Sequence, residues 1–286
     1  MHVAEPRQKF QDWFTQQWNI LRGKKITPDE VPWLMGPFGN LNGIGEAFIH
    51  QLAEKENLKI VRDTADRGLL PSIHQLDLSE EELSRLSKEV IHFYEHTASY
   101  QLEFNIKWNP FFKVFGSMVN RLFSRRIHQL YLPTKKAAAS EPLNSELIAL
   151  VDPKSNKPIY TIWLRTFISS GEVVFSGVYG TCTLPSGKTC VKAVFPLPKG
   201  NATVIMIPVV QNDGSLKLVS SGKKFGDAGF YFLLQDSKGN NWSQYIRSFH
   251  DSLTIGCYNG ALHAQQHFSL WNKHVLSMNY KIEAKK

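Results

Sequence analysis

From residue 146 onward the chain is cut by turn signals at nearly regular intervals, and this punctuation constrains the fold more than any other feature of the sequence. Asp152-Pro153-Lys154-Ser155-Asn156, Ser169-Ser170-Gly171, Pro185-Ser186-Gly187, Pro198-Lys199-Gly200-Asn201, Asn212-Asp213-Gly214, Ser237-Lys238-Gly239-Asn240 and Tyr258-Asn259-Gly260 are the candidates. Several contain Gly and Asn residues that tolerate positive φ. The segments between them are strand-sized and predict about eight or nine strands. That number in one half of the chain favours a strongly curved antiparallel sheet or a closed barrel.

Two kinds of strand occur. Leu276, Met278, Tyr280 and Ile282 alternate with Val275, Ser277, Asn279 and Lys281, as a strand with one wet face should. Residues 159–167, 203–209 and 230–234 are apolar on both faces, so both faces must be covered, and the helices of the first half, notably one at about 110–130, are the obvious cover.

That first half reads mainly as helices. Phe10, Trp13, Phe14, Trp18 and Leu21 recur at helical steps between about residues 7 and 21. Ser79-Glu80-Glu81-Glu82 is a capping box that starts a helix running to about Thr97, with Leu83, Leu86, Val90, Ile91 and Tyr94 on its apolar side. Tyr100, Leu102, Phe104, Ile106 and Trp108 alternate strictly with polar residues and mark a strand. A helix from about 110 to 130 combines a broad apolar face with a basic side that includes Arg125, with Arg121 and Arg126 at its margins. It is expected to cover the sheet, peripheral membrane contact being the other reading. The expected architecture is α+β, with N-terminal helices packed on a large curved antiparallel sheet or barrel of about nine strands. One domain spans 1–286: a helical part at 1–98, a strand plus amphipathic helix at 99–132, a linker at 133–145 and the sheet or barrel at 146–286.

No apolar run approaches the roughly 20 residues that a membrane helix needs, and the first residues lack a leader pattern. These features lead to the expectation of a soluble, cytoplasmic protein without a transmembrane segment. The formal charge is +8, and residues 141–286 hold 15 Lys+Arg against 9 Asp+Glu. The lysines are scattered at turns, which suits a solvated surface rather than nucleic-acid binding.

Candidate chemistry is sparse. Three cysteines give neither a disulfide framework nor a zinc site. Cys182 and Cys190 flank a hairpin turn, where a cross-strand disulfide is geometrically possible, while two packed thiols suit a reducing compartment better. His263 and His267 would lie about 13 Å apart along a strand, too far for one metal ion to bridge. No metal and no cofactor is therefore expected. His250-Asp251 could orient an imidazole for base catalysis, but no Ser or Cys in a nucleophile-elbow context accompanies it. In the glycine-rich loop at 220–231, Asp227 either caps backbone amides or contacts a ligand.

Phe93-Tyr94-Glu95-His96-Thr97, Leu122-Phe123-Ser124-Arg125-Arg126, Phe195-Pro196-Leu197-Pro198-Lys199-Gly200-Asn201-Ala202, the 225–231 loop, Leu270-Trp271 and Asn279-Tyr280-Lys281-Ile282 together resemble a family of uncharacterised bacterial proteins. The resemblance covers most of the chain and implies one contiguous domain of bacterial origin, with no known activity.

The leading expectation is a non-enzymatic protein that holds an apolar or amphipathic small molecule, a lipid among the candidates, between the curved sheet and its covering helix. Trp163, Arg165, Tyr179, Tyr231 and Arg247 are the candidate pocket residues, with Asp227 beside them, and a buried arginine would need an anionic partner. One alternative is an enzyme with a barrel-lumen site that uses His250, Asp251 or Asp227. Another is a docking module that uses the first helix or the basic helix face.

Overall fold

A computed structural model describes residue 4 and residues 10–40, 44–62, 66–113 and 140–285. Among the described residues the N-terminal part holds the helices α1 (Phe10–Arg22), α2 (Gly45–Glu56), α3 (Glu80–Arg85) and α4 (Lys88–Glu95), with a further helical start at 110–113. The early strands are β1 (Lys24–Ile26), β2 (Lys59–Arg62) and β3 (Tyr100–Trp108). The rest follow in close succession as β4 (Ser140–Val151), β5 (Pro158–Phe167), β6 (Val173–Thr183), β7 (Thr189–Leu197), β8 (Gly200–Val210) and β9 (Leu216–Val219). The chain ends with β10 (Gly229–Gln235), β11 (Asn241–Tyr245), β12 (Phe249–Tyr258), β13 (Ala261–Leu270) and β14 (Lys273–Ala284).

Ten of these strands close into an antiparallel barrel in the order β8-β7-β6-β5-β4-β3-β14-β13-β12-β9, and β9 pairs back onto β8. Closure depends on a division of labour along β8. Its residues 207–210 pair with β9, while residues 200–205 pair with β10, which leaves the ring and continues as a flap through β11 and β1. The four residues of β9 also pair with β12 and so complete the wall.

Each strand places alternate residues inside and outside, and the second half is dressed differently on the two sides. On β8, Ala202, Val204 and Met206 face the lumen. Ile205 of the same strand belongs to a separate outer cluster with Trp33, Leu34 and Tyr231. The outer cover of the doubly apolar strands is an extended strap at 31–40 together with α2. Phe48, Ile49 and Leu52 of α2 pack on Ile148, Ile162 and Val178. The strap is held by the Lys192 ammonium, which donates to the carbonyls of Trp33 (3.2 Å) and Met35 (2.9 Å), and by Asn201, which donates to those of Gly36 and Pro37.

One end of the barrel is closed by α3, α4 and the 3-10 turn Ile73–Leu76, whose Leu86, Val90, Phe93 and Leu76 join the inner core. Gly214 at the β8–β9 turn makes this closure possible. Its φ is +79°, and a Cβ there would lie 2.9 Å from the Arg85 carbonyl oxygen, while its own carbonyl accepts from the Ser87 amide at 3.0 Å.

The sequence expectations need several corrections. The capping box is present, with Ser79 and Glu82 bonding reciprocally, but the helix it starts ends at Arg85. Ser87 then caps α4 separately by accepting from the Val90 amide, so the long helix expected over 79–97 is two. The part expected to be helical also contains β1 and β2, which with β3 and β4 carry the total beyond about nine strands. The expected linker is strand from Ser140. Its remainder, and the expected helix beyond its helical start at 110–113, lie outside the described residues.

Candidate functional site

The barrel encloses a cavity of about 700 Å³ with an overwhelmingly apolar wall. That size is typical of small-molecule sites, which run to roughly 300–1,000 Å³. Leu69, Phe93 and Tyr94 line it from the closed end, and Gln16, Phe112 and Leu270 line it near the opposite end, the mouth.

A belt of polar groups from opposite walls faces this apolar lumen. Trp163 and Arg165 project from β5 and Tyr179 from β6. Asp251, Gln266 and Tyr280 project from β12, β13 and β14 on the far wall. Arg165 is 6% exposed. Its Nη2 donates to the Tyr179 hydroxyl at 3.2 Å, and the guanidinium lies 4.3 Å from the Trp163 ring centroid and 4.4 Å from that of Phe175. Such ring contacts offset part of the cost of burying a cation. Trp163 is itself fixed by donating its indole N–H to the Ser145 hydroxyl at 2.8 Å. Among the described residues Arg165 forms no salt bridge, and its Nε has no hydrogen-bond partner. The Tyr94 hydroxyl at the cavity floor is buried and equally unpartnered.

Asp251 is 3% exposed, and the Gln266 amide donates to both of its oxygens at 3.0 and 2.8 Å. Burial pushes its carboxyl up to about 7, and the Gln266 hydrogen bond pulls the other way. Burial likewise raises the Tyr280 hydroxyl to about 12, opposed by the nearby Arg165, and raises the Tyr179 and Tyr94 hydroxyls.

Of the residues expected to line a pocket, Trp163, Arg165 and Tyr179 meet in the lumen and the others do not. Tyr231 is fully buried on the outer side, where its hydroxyl donates to the Asp227 carbonyl and accepts from the Gly226 amide. The cause is strand parity, since on β10 Phe230 and Phe232 take the inward positions. Arg247 is exposed in the β11–β12 turn, because β11 ends at Tyr245. Asp227 caps its own loop by accepting from the amides of Lys223 (2.9 Å) and Lys224 (3.1 Å). His250 and Asp251 are neighbours on one strand and so face opposite ways, which separates the suggested pair. The His250 ring contacts the Ser220 carbonyl instead of the Asp251 carboxylate.

Cys182 and Cys190 stand directly opposite each other on β6 and β7, as the hairpin implied, yet both are free thiols and no disulfide joins them. Burial pushes them up to about 11 and about 12, which keeps them protonated. His263 and His267 lie on the exposed outer face of β13. Sequence reasoning missed Gln266, Tyr94 and the polar role of Tyr280. Alternation does place Tyr280 on the inward face, but it cannot tell a packed ring from a hydroxyl that faces a cavity.

The outer face of the barrel bears on any membrane contact. On β3, Gln101, Glu103, Asn105 and Lys107 are exposed, and so are Asn279 and Lys281 on β14. This polar-out, apolar-in order is the reverse of a strand wall that faces lipid. Among the described residues no helix is long and apolar enough to cross a membrane.

No family model matches the chain, and no solved structure matches it. Over 267 residues it is 26% identical to the uncharacterized membrane protein YndJ of Bacillus subtilis (strain 168), a match that takes in 93% of this chain and 46% of that protein. The chain thus spans about half the length of this curated relative. The relative's description as a membrane protein overturns the expectation of a soluble, cytoplasmic protein. Its uncharacterised state agrees with the resemblance to bacterial proteins of no known activity.

Proposed function

We propose that the barrel binds an apolar or amphipathic small molecule, with a lipid-like acyl chain as the best fit to its lumen. The observation that carries this reading is the cavity of about 700 Å³, walled by aliphatic and aromatic side chains and floored by Phe93 and Leu69. Each methylene moved from water into such a space contributes about 0.8 kcal/mol, so a chain of ten or more carbons supplies ample driving force. The similarity to a protein of about twice this length that is described as a membrane protein adds support, since a membrane is a source of lipid. Organic extraction of the purified protein followed by mass spectrometry, together with a thermal-shift screen of fatty acids and single-chain lipids, tests the reading. A bound amphiphile or a clear rise in Tm is expected. No extracted species and no stabilisation by any amphiphile contradicts it.

A second reading rests on Asp251, a carboxyl buried in the lumen and raised to about 7, the range in which a general acid or base works best. On that reading the lumen transforms its guest. Prolonged incubation would release a product from the wild-type protein and none from Asp251→Asn, whereas an amphiphile recovered chemically unchanged from both excludes it.

A further inference from the structure

We infer that the guest of the lumen is an anion that enters head first, its acidic group seated on Arg165, Tyr179 and Tyr280 and its apolar tail directed toward the mouth. This inference rests on the ligand-binding reading and adds the chemical class of the ligand. A guanidinium withdrawn from water requires a counter-charge, and Arg165 lacks one. It is 6% exposed, lines the cavity, pairs with no carboxylate among the described residues and leaves Nε without a partner. Asp251, the carboxyl in the belt, is hydrogen-bonded by Gln266, and among the described residues it forms no salt bridge with Arg165. The Trp163 and Phe175 rings flank the guanidinium at 4.3 and 4.4 Å and restrain it, so its N–H edge is pre-set to receive a planar or tetrahedral oxyanion. Tyr179 and Tyr280 supply hydroxyls beside it. Arg165 sits below the apolar residues nearer the mouth, so a head-first pose puts the tail against Phe230, Phe249, Leu270 and Leu276.

Calorimetry with three probes of equal tail, hexadecanoate, hexadecyl phosphate and hexadecanol, separates this claim from the one beneath it. At least one anion is expected to bind the wild-type protein roughly 10- to 100-fold more tightly than the alcohol, the range set by one charged hydrogen-bonded contact. The tighter of the two anions identifies the headgroup as carboxylate or phosphate. Arg165→Met should bring anion and alcohol to parity. If the alcohol binds the wild-type protein as well as both anions do, the head-first anion is refuted while the lumen reading stands. If none of the three binds, both fall. The wild-type comparison requires no variant to fold.

A different observation carries a second inference: we propose that the mouth of the barrel docks on an anionic bilayer surface. The described residues include eight exposed large hydrophobic side chains. Phe111, Ile168 and Trp271 follow the mouth-end termini of β3, β5 and β13, and Trp18 and Leu21 are on α1, whose Gln16 and Asn19 line the cavity. Phe111 and Trp271 are 81% and 69% exposed, on either side of the lumen residues Phe112 and Leu270. Exposed Arg22, Lys113, Arg247 and Lys273 lie among them, Arg22 stacked 4.2 Å over the Trp18 ring, and Glu172 in the β5–β6 turn is an acidic neighbour. Aromatic anchors interleaved with cations are the chemistry of a headgroup interface. Sedimentation with vesicles of phosphatidylglycerol and phosphatidylcholine should carry the protein down, pure phosphatidylcholine much less. The double variant Phe111→Ser, Trp271→Ser should lose at least ~10-fold in partitioning. No sedimentation of the wild-type protein, or equal sedimentation of the variant, overturns the proposal.

Discussion

Two cations drawn into the protein, Lys192 and Arg165, sit on opposite faces of the same barrel wall, and their surroundings differ in kind. Lys192 lies under the strap on the outer face, where the carbonyls of Trp33 and Met35 accept its N–H groups. Arg165 faces the lumen between two rings, its Nη2 donating to the Tyr179 hydroxyl and its Nε orphaned. The chain satisfies one charge with its own backbone and leaves the other for something else. The outer cation is a structural clamp, and on the proposed reading the inner one is half of an interaction whose partner is the guest.

The largest effects should separate the packed side of the wall from the hollow side. Trp33 packs edge-on against Phe225 and Tyr231 at centroid distances of 5.9 and 5.5 Å, so Trp33→Ala is expected to cost ~3–5 kcal/mol in urea unfolding. Phe195→Ala on the lumen wall should cost less than half of that, because part of its ring already borders empty space and has fewer contacts to lose. Equal losses would mean that the lumen is filled in solution.

A pH series sharpens the same contrast. Burial raises the Asp251 carboxyl to about 7, against ~3.9 in an unfolded chain, so the folded state keeps its proton over a range where the unfolded state has lost it. Its contribution to stability is therefore fully present below about pH 4, declines as pH rises and levels off above about pH 7. At pH 8 the Asp251→Asn protein should be more stable than wild type by ~2–4 kcal/mol, with the gap closing toward pH 4. A gap that does not change with pH would place the Asp251 carboxyl in a solvated setting.

The smallest of the three effects compares the cations directly. Lys192→Met leaves two strap carbonyls without their donor and should cost ~1–3 kcal/mol. Arg165→Met removes an uncompensated buried charge, so the ligand-free protein should be unchanged or slightly more stable. A large loss from Arg165→Met alone would make Arg165 a structural residue.

Much of this architecture is legible in the sequence, because turns and strand alternation are local. The seven turn signals fall between strands, residues 100–108 form a strand with the expected bounds, and the doubly apolar segments are covered on both faces except at their ends, where Ile159 and Val209 are exposed. What covers them was not legible. The strap at 31–40 has no helical or strand periodicity and is held by Lys192 and Asn201, contacts more than 150 residues away in sequence. The site was half legible. Composition within β5 and β6 pointed to Trp163, Arg165 and Tyr179, and the inward phase of β5 brings two of them into the cavity. Tyr231 was misplaced by one step of strand phase, and Arg247 by the early end of β11, a boundary that pairing with β10 sets. Gln266 and Asp251 meet only through cross-strand geometry between β12 and β13.

The most direct test of the central claim is a crystal structure of the protein soaked or co-crystallised with a fatty acid brominated at its tail. Anomalous bromine density is expected inside the barrel toward the Phe249 and Leu270 end, with carboxylate density within about 3 Å of the Arg165 guanidinium. Bromine confined to the outer surface, or a lumen closed by its own side chains under saturating ligand, would contradict it.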